Sequence, residues 1–238
     1  MTLEITRRIR GNLHGSTDIS ELEDQVISHP NFQRLRNIKQ TAFLSYVFPG
    51  ATHSRFEHSL GVLHLASIAW EKIKENQRRI KKNIFEEKLK VEQLNEEKNE
   101  VEKYHLEEEK VKNIFSSSYC LQTLRLAALL HDIGHPPLSH TGEIFLPNLS
   151  TILESNPNLP EYLKKYIKTL IKKETQQCTH EIYSIMLIDQ ILSEIYKKYK
   201  SLKLKVHPQD VVSLLIKEIS PHKDSQIEKF QVQDLFHE

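Results

Sequence analysis

Between His131 and Glu143 the chain places three histidines and two carboxylates: His131, Asp132, His135, His140 and Glu143. They follow directly on the apolar run Leu124, Leu126, Ala127, Ala128, Leu129 and Leu130, which reads as a buried helix carrying these groups inward. Ionisable groups brought into a core are costly unless paired or bound to a metal. The adjacent His131-Asp132 pair therefore points to metal ligation. Gly134 suits a left-handed helix cap and Pro136-Pro137 forbids continuation, so the pair is expected on the last helical turn, with His135 and His140 on the loop beyond.

A second constellation lies upstream. Ser54 and Glu57 have the S-x-x-E spacing of a capping box, predicting a helix start with Arg55 in its first turn. Orphan N–H groups and the helix dipole favour an anion there. A guanidinium at that point is unfavourable for the dipole and useful for a phosphate. His58 shares a helical face with Val62, Leu65 and Ala69 and is expected to point toward the core. Alone it would be an ordinary hydrogen-bonded core histidine; beside a buried His-Asp pair it reads as a third ligand. Such a mixed imidazole and carboxylate set suits one divalent ion, with Mn, Fe, Mg, Zn and Ni all open.

The elements that must position these groups are helical. Residues 1–20 read as a loop or short irregular strand pair. Helical patterning begins near Ser20 (Leu22, Val26, Ile27) and breaks at His29-Pro30; a second helix is expected through Phe32, Leu35 and Ile38. Arg34 and Arg36 read as its solvated face. An aromatic and β-branched run, Phe43 to Phe48, stops at Pro49-Gly50. From Val62 to Ile133 neither glycine nor proline occurs, and the middle of that span, about 71–115, is mostly Lys, Glu, Asn and Gln. It reads as an inserted, charged helical hairpin with a solvated face. A proline-marked loop near 147–157 leads to an amphipathic helix (Leu163, Tyr166, Ile167, Leu170) whose other face carries Lys164, Lys165 and Lys168. Thr179 is a good N-cap for the next helix, placing His180 and Glu181 in its first turn, and Pro208 starts another. The fold class expected is all-α.

Lys and Arg (33) balance Asp and Glu (32), so no basic field attracts nucleic acid in general. Cys120 and Cys178 have no CxxC spacing and read as core residues of a reducing compartment. No leader-like apolar segment and no run of about 20 apolar residues is present, so no membrane partner is expected and the location expected is cytoplasmic.

H-x-R-x-x-H-S-x-G (His53 to Gly61) followed by H-D-x-G-H-x-P-x-S-H (His131 to His140) resembles the HD-domain phosphohydrolases, in particular their deoxynucleoside triphosphate triphosphohydrolase branch. Phe32 to Gln40, Phe48 to Ala51 and His180-Glu181 extend the likeness. The resemblance implies a single HD-domain helical bundle over 1–238 with the charged insertion, and conversion of a dNTP to deoxynucleoside and tripolyphosphate. It implies His58, His131 and Asp132 as metal ligands, and Arg55, His135 and His180 on the phosphates. Gln40 would hold the sugar. His140 would be the general acid, oriented by Glu143, with Glu181 as a second carboxylate near the attacking water and His180, on the phosphate chain, catalytic as well. A homo-oligomer is expected from the resemblance alone.

Two departures stand out. The family's fourth metal ligand, an Asp in a D-x-D-x-x-D-Y-like run, has no counterpart here, so the domain is expected to be incomplete at its C-terminal side with that ligand beyond Glu238. The family's early Asp-Pro-x-His-Gly is Gly11-Asn12-Leu13-His14-Gly15 here, and Ser28 stands where the vertebrate member has a guanine-reading Asp, so guanine-nucleotide activation is not expected. Two other readings compete: an HD phosphohydrolase acting on another nucleotide or a phosphodiester, and a catalytically silent regulatory or nucleic-acid-binding HD module.

Overall fold

The computed structural model describes residues 3–11, 14–92, 117–172 and 176–227. Its first 20 residues form an antiparallel hairpin, β1 (Ile5–Gly11) and β2 (Gly15–Ser20), with Gly15 in the left-handed region at the turn (φ 73°). The rest is helical: α1 (Glu21–Ser28), α2 (Pro30–Gln33), α3 (Arg55–Glu92), α4 (Ser118–Leu130), α5 (Leu149–Ser155), α6 (Glu161–Leu170), α7 (His180–Lys198) and α8 (Pro208–Ser213). The all-α expectation holds apart from this small sheet. No helix among the described residues is long and apolar enough to cross a membrane.

α4 is the central element. Leu126, Leu129 and Leu130 are fully buried, and the core closes around them with Leu63 of α3, Leu22 and Val26 of α1, and Ile185, Ile188 and Ile191 of α7. A buried polar network locks α4 to the hairpin and α1. Ser20 and Glu23 form a complete capping box on α1. The same Glu23 carboxylate, with no exposure, accepts from Gln122 Nε2 and Arg125 Nε at 2.7 Å each. Arg125 Nη2 also donates to the Asp18 carbonyl at 2.6 Å. A buried Arg–Glu pair holds its place only when its remaining polar atoms are satisfied in this way.

α3 runs antiparallel to α4. Arg125 donates to Ser67, while at the other end His58 meets His131. This antiparallel packing brings the start of one helix to the end of the other. The capping box read from the sequence is present: Ser54 N–H donates to Glu57 Oε2 at 2.8 Å, and Glu57 N–H to Ser54 Oγ at 3.3 Å. Of the 71–115 insertion, α3 accounts for the residues to Glu92 and the remainder to 115 lies outside the described residues.

The structure corrects or details several expectations. The second helix ends at Gln33 and tightens into a 3₁₀ turn over Arg34–Asn37, because Ile38 to Gln40 must extend to pair with His53 to Arg55. Phe43 to Phe48 is largely a 3₁₀ turn (Ala42–Tyr46) with Phe43, Tyr46, Val47 and Phe48 exposed. The loop near 147–157 contains α5, whose Leu149 and Ile152 enter the core. The face shared by His58, Val62, Leu65 and Ala69 is not the core stripe: Leu65 is 50% exposed, while Phe56, Leu60, Leu63 and Trp70 are buried. His58 therefore sits at the edge of the core.

Gly134 is not a left-handed cap. Among the described glycines only Gly15 has positive φ. What Gly134 provides is contact between the turn after α4 and the backbone of α7: a Cβ there would lie 2.2 Å from the His180 carbonyl oxygen and 2.3 Å from Ser184 N. Backbone atoms cannot swing aside as a side chain would. Gly134→Ala is thus expected to destabilise by at least about 1–3 kcal/mol, the range for overpacking, as read from the urea midpoint. An unchanged midpoint would mean that the two segments are not in this contact.

Candidate active site

His58 comes from the first turn of α3, His131 is the C-cap of α4, and Asp132 follows in the turn, just outside the helix rather than on its last turn as expected. Their donor atoms form a triangle. His58 Nε2 and His131 Nε2 are 3.2 Å apart, and each is 3.4 Å from Asp132 Oδ2. At ligand bonds of about 2.1 Å, neighbouring donors are separated by about 3.0 Å at a right angle and about 3.4 Å at the tetrahedral angle. The triangle fits one divalent ion. His131 Nδ1 lies 2.9 Å from the Ala128 carbonyl oxygen, a contact that makes Nδ1 the donor and turns Nε2 toward the triangle. Burial disfavours the His131 imidazolium, but the Asp132 carboxylate overrides this and raises its pKa above the ordinary value. For Asp132 burial also opposes the charge, yet His131, with Arg55 and His135, holds the carboxyl well below its usual range. Burial pushes the His58 imidazole down. An arriving cation would therefore meet an ionised carboxylate and compete with protons for His131.

Arg55 is 2% exposed and engaged within the protein. Nη1 donates to Asp132 Oδ2, while Nε and Nη2 both donate to Ser139 Oγ, so only its remaining N–H groups are left for a phosphate. Ser139 holds this position from a strained turn, with Leu138 and Ser139 both at positive φ (66° and 57°). Its hydroxyl also donates to the Gln40 carbonyl oxygen at 3.4 Å. That contact ties Gln40 to the site, where its buried Oε1 has no partner.

The other predicted residues assemble into a second group. Glu143 Oε1 is 2.6 Å from His140 Nδ1 and 2.9 Å from His180 Nδ1, and His180 Nε2 is 3.5 Å from Glu181 Oε1. His140 is 70% exposed at its side chain, whereas His135 is buried and stacks on His180. Burial opposes ionisation of Glu143, and hydrogen bonds from His140 and His180 more than offset it, lowering its pKa. The groups are linked: His135 Nε2 lies 3.6 Å from Asp132 Oδ1. All nine predicted residues other than Gln40 thus join one connected network of side-chain contacts, and Gln40 enters through its backbone.

Two residues with a part in this arrangement escaped the sequence reading. In the sequence Ser139 stands out only as a letter of the H-x-P-x-S-H motif. Arg34, assigned to a solvated face, instead clamps the turn that bears Asp132 and His135, donating from Nη1 to the His135 carbonyl oxygen at 2.6 Å and from Nη2 to that of Ile133. An arginine one residue before a core leucine in a region with no acidic neighbour was the available signal. A lysine lacks the planar fork that reaches both carbonyls. Arg34→Lys is expected to cost about 1.5–3 kcal/mol, the worth of one charge-assisted hydrogen bond, by urea denaturation. A variant as stable as the parent would remove Arg34 from this role.

Burial, then the positive charge of Arg55 and of His180, pushes His135 down to about 3 from 6.5. Between those values the unfolded chain binds a proton that the folded chain excludes. Stability therefore rises with pH through this window and falls on acidification, by about 1.4 kcal/mol per pH unit. His58 acts in the same direction, and the lowered Asp132 contributes only below 3.8. The chelator-treated protein is expected to lose stability steadily below pH 6.5, and His135→Gln to flatten that slope. Identical acid slopes in both would contradict the placement of His135.

A cavity of about 1030 Å³ lies elsewhere, between the hairpin and the middle of α3, and is lined by none of these groups. A family model described as HD domain matches residues 55–219. The deoxynucleoside triphosphate triphosphohydrolase SAMHD1 of Homo sapiens is 36% identical over 132 residues, covering 56% of this chain and 16% of that protein. The SAMHD1 homologue of Dictyostelium discoideum is 32% identical over 137 residues (58% and 20%). An uncharacterised protein of Methanocaldococcus jannaschii is 35% identical over 136 residues (57% and 20%). The matched stretch spans about a fifth or less of each of these relatives. With His58, Arg55, His131 and Asp132 all inside the matched span and converging as described, the chain belongs to the HD-domain family.

Proposed function

We propose that the chain hydrolyses deoxynucleoside triphosphates to a deoxynucleoside and tripolyphosphate, using one divalent ion at His58, His131 and Asp132. The observation that carries this reading is the His140–Glu143 pair standing beside the metal triangle and joined to it through His135. The names of the SAMHD1 relatives support the substrate class.

When bound, the ion supplies Lewis acidity toward a phosphoryl oxygen and toward the attacking water. The residues of the chain do the rest. The N–H groups of Arg55 not used by Asp132 and Ser139 neutralise phosphate charge, and His135 and His180 line the phosphate path. His140, with Nδ1 against Glu143, presents Nε2 outward and protonates the departing 5′ oxygen. Glu143 stabilises the imidazolium that must exist before that transfer. Glu181, held near His180 Nε2, is the second carboxylate, close to the attacking water. Gln40, whose Oε1 lacks a partner within the protein, accepts from the sugar hydroxyl. A homo-oligomer belongs to this reading, and the exposed Phe43, Tyr46, Val47, Phe48, Ile144 and Phe145 side chains support it.

The test is ion-exchange analysis of products after incubation with mixed dNTPs and Mn²⁺. Tripolyphosphate with free deoxynucleosides is the expected result. Pyrophosphate or orthophosphate in its place would redirect the assignment to another HD phosphohydrolase chemistry. No turnover of any nucleotide, with metal bound, would favour a silent module.

A further inference from the structure

A proton donor backed by a carboxylate requires one imidazole. Glu143 Oε1 here meets two, His140 Nδ1 at 2.6 Å and His180 Nδ1 at 2.9 Å, one from the loop and one from α7. The two rings stand 81° apart, so their ring planes converge on Glu143 from different directions. Two imidazole nitrogens and a carboxylate oxygen, close together, repeat the composition of the first triangle. Beneath them His135 is 1% exposed, its Nδ1 has no partner, and a donor atom of its ring lies within 4.8 Å of those of the other three. The His135 and His180 rings are stacked at 3.8 Å with 16° between their planes. Parallel rings cannot both aim in-plane lone pairs at one ion, so His135 completes the set only by turning.

We propose that His140, Glu143 and His180 form a second divalent-metal site, suited to an imidazole-preferring ion such as Zn²⁺, whose occupation shuts off hydrolysis. Imidazole-rich sets favour Zn²⁺ over Mg²⁺ and Mn²⁺. An ion there takes the place of the protons on both Nδ1 atoms. His140 then becomes a neutral ligand and can no longer deliver a proton as an imidazolium. The exposure of His140 leaves this second set open to ions from solution. The inhibitory half rests on His140 being the proton donor of the proposed reaction; the binding half does not.

The experiment is equilibrium dialysis of the full chain against Co²⁺, a spectroscopic stand-in for Zn²⁺, with metal counted per chain and folding checked by far-UV circular dichroism. Two Co²⁺ per chain are expected in the parent. One is expected in His58→Gln, and one in the His140→Asn/Glu143→Gln double variant. One Co²⁺ in the parent, none in folded His58→Gln, or two in the double variant would overturn the site. Adding Zn²⁺ to the Mn²⁺-loaded parent, with one Mn²⁺ per chain still counted afterwards, is then expected to lower turnover by roughly a hundredfold or more, the contribution of a general acid, with recovery on mild chelation. Full turnover with both sites filled overturns the inhibitory half. Absence of turnover before any Zn²⁺ is added sinks the hydrolase reading and the inhibitory half with it, while the metal counts still decide the site.

Discussion

Asp132→Ala is expected to abolish metal binding at the His58–His131 triangle, to remove measurable turnover, and to cost about 3–5 kcal/mol of stability. One carboxylate carries all three effects. Its Oδ2 is a corner of the donor triangle and the charge partner of Arg55, whose side chain is 2% exposed. Removing it leaves two imidazoles around a cation and strands a buried guanidinium held by Ser139 alone. Against a domain stability of about 5–15 kcal/mol, that is a large fraction. Two controls separate the effects. Asp132→Asn keeps an acceptor for Arg55 while weakening the metal corner, so it should recover most of the stability without turnover. Arg55→Met/Asp132→Leu replaces the whole pair with apolar groups and should melt near the parent while binding no metal at this triangle. Denaturation midpoints and metal counts on the set decide the matter. A stable, metal-loaded Asp132→Ala would show that the triangle is not the metal site.

His140→Asn should lower kcat by roughly 10²–10⁴ with little change in KM or in melting temperature. The side chain is 70% exposed, pairs with the Glu143 carboxylate, meets the His135 and His180 rings edge-on, and lies outside the hydrophobic core, so its loss should shift stability by no more than about 0.5 kcal/mol. Its role can be tested through the leaving group. A triphosphate ester that expels nitrophenolate needs no proton, so the variant should hydrolyse it almost as fast as the parent does. Equal losses on both substrates would remove His140 as the acid and leave it a positioning group. Glu143→Gln should give a smaller loss in kcat, since the carboxylate that orients the His140 ring through Nδ1 is gone.

Much of the site was legible because its residues are local in sequence. His131, Asp132, His135, His140 and Glu143 fall in one short segment after an apolar helix, and the motif chemistry there leaves few readings. The Ser54–Glu57 cap and the starts of α7 and α8 are equally local, and they appear where the sequence places them. The errors share a cause. Gly134 looked like a helix cap, yet its small size answers to α7, some 50 residues away. Arg34 looked solvated because its partners, the carbonyls of Ile133 and His135, lie about a hundred residues downstream. The apolar residues on the His58 face looked like core because periodicity finds a stripe without saying what covers it.

The amino-acid sequence by itself determined the helical class, the HD likeness and the identity of the chemical groups, since each rests on residue type, period or spacing within a few turns. Tertiary structure decided how those groups are shared. It tied Arg55 to Asp132 and Ser139, stacked His135 on His180, and brought two imidazoles to one oxygen of Glu143. Those pairings depend on the antiparallel packing of α3 on α4 and on the close approach of α7, and the directions from which distant side chains converge are not encoded in any one segment.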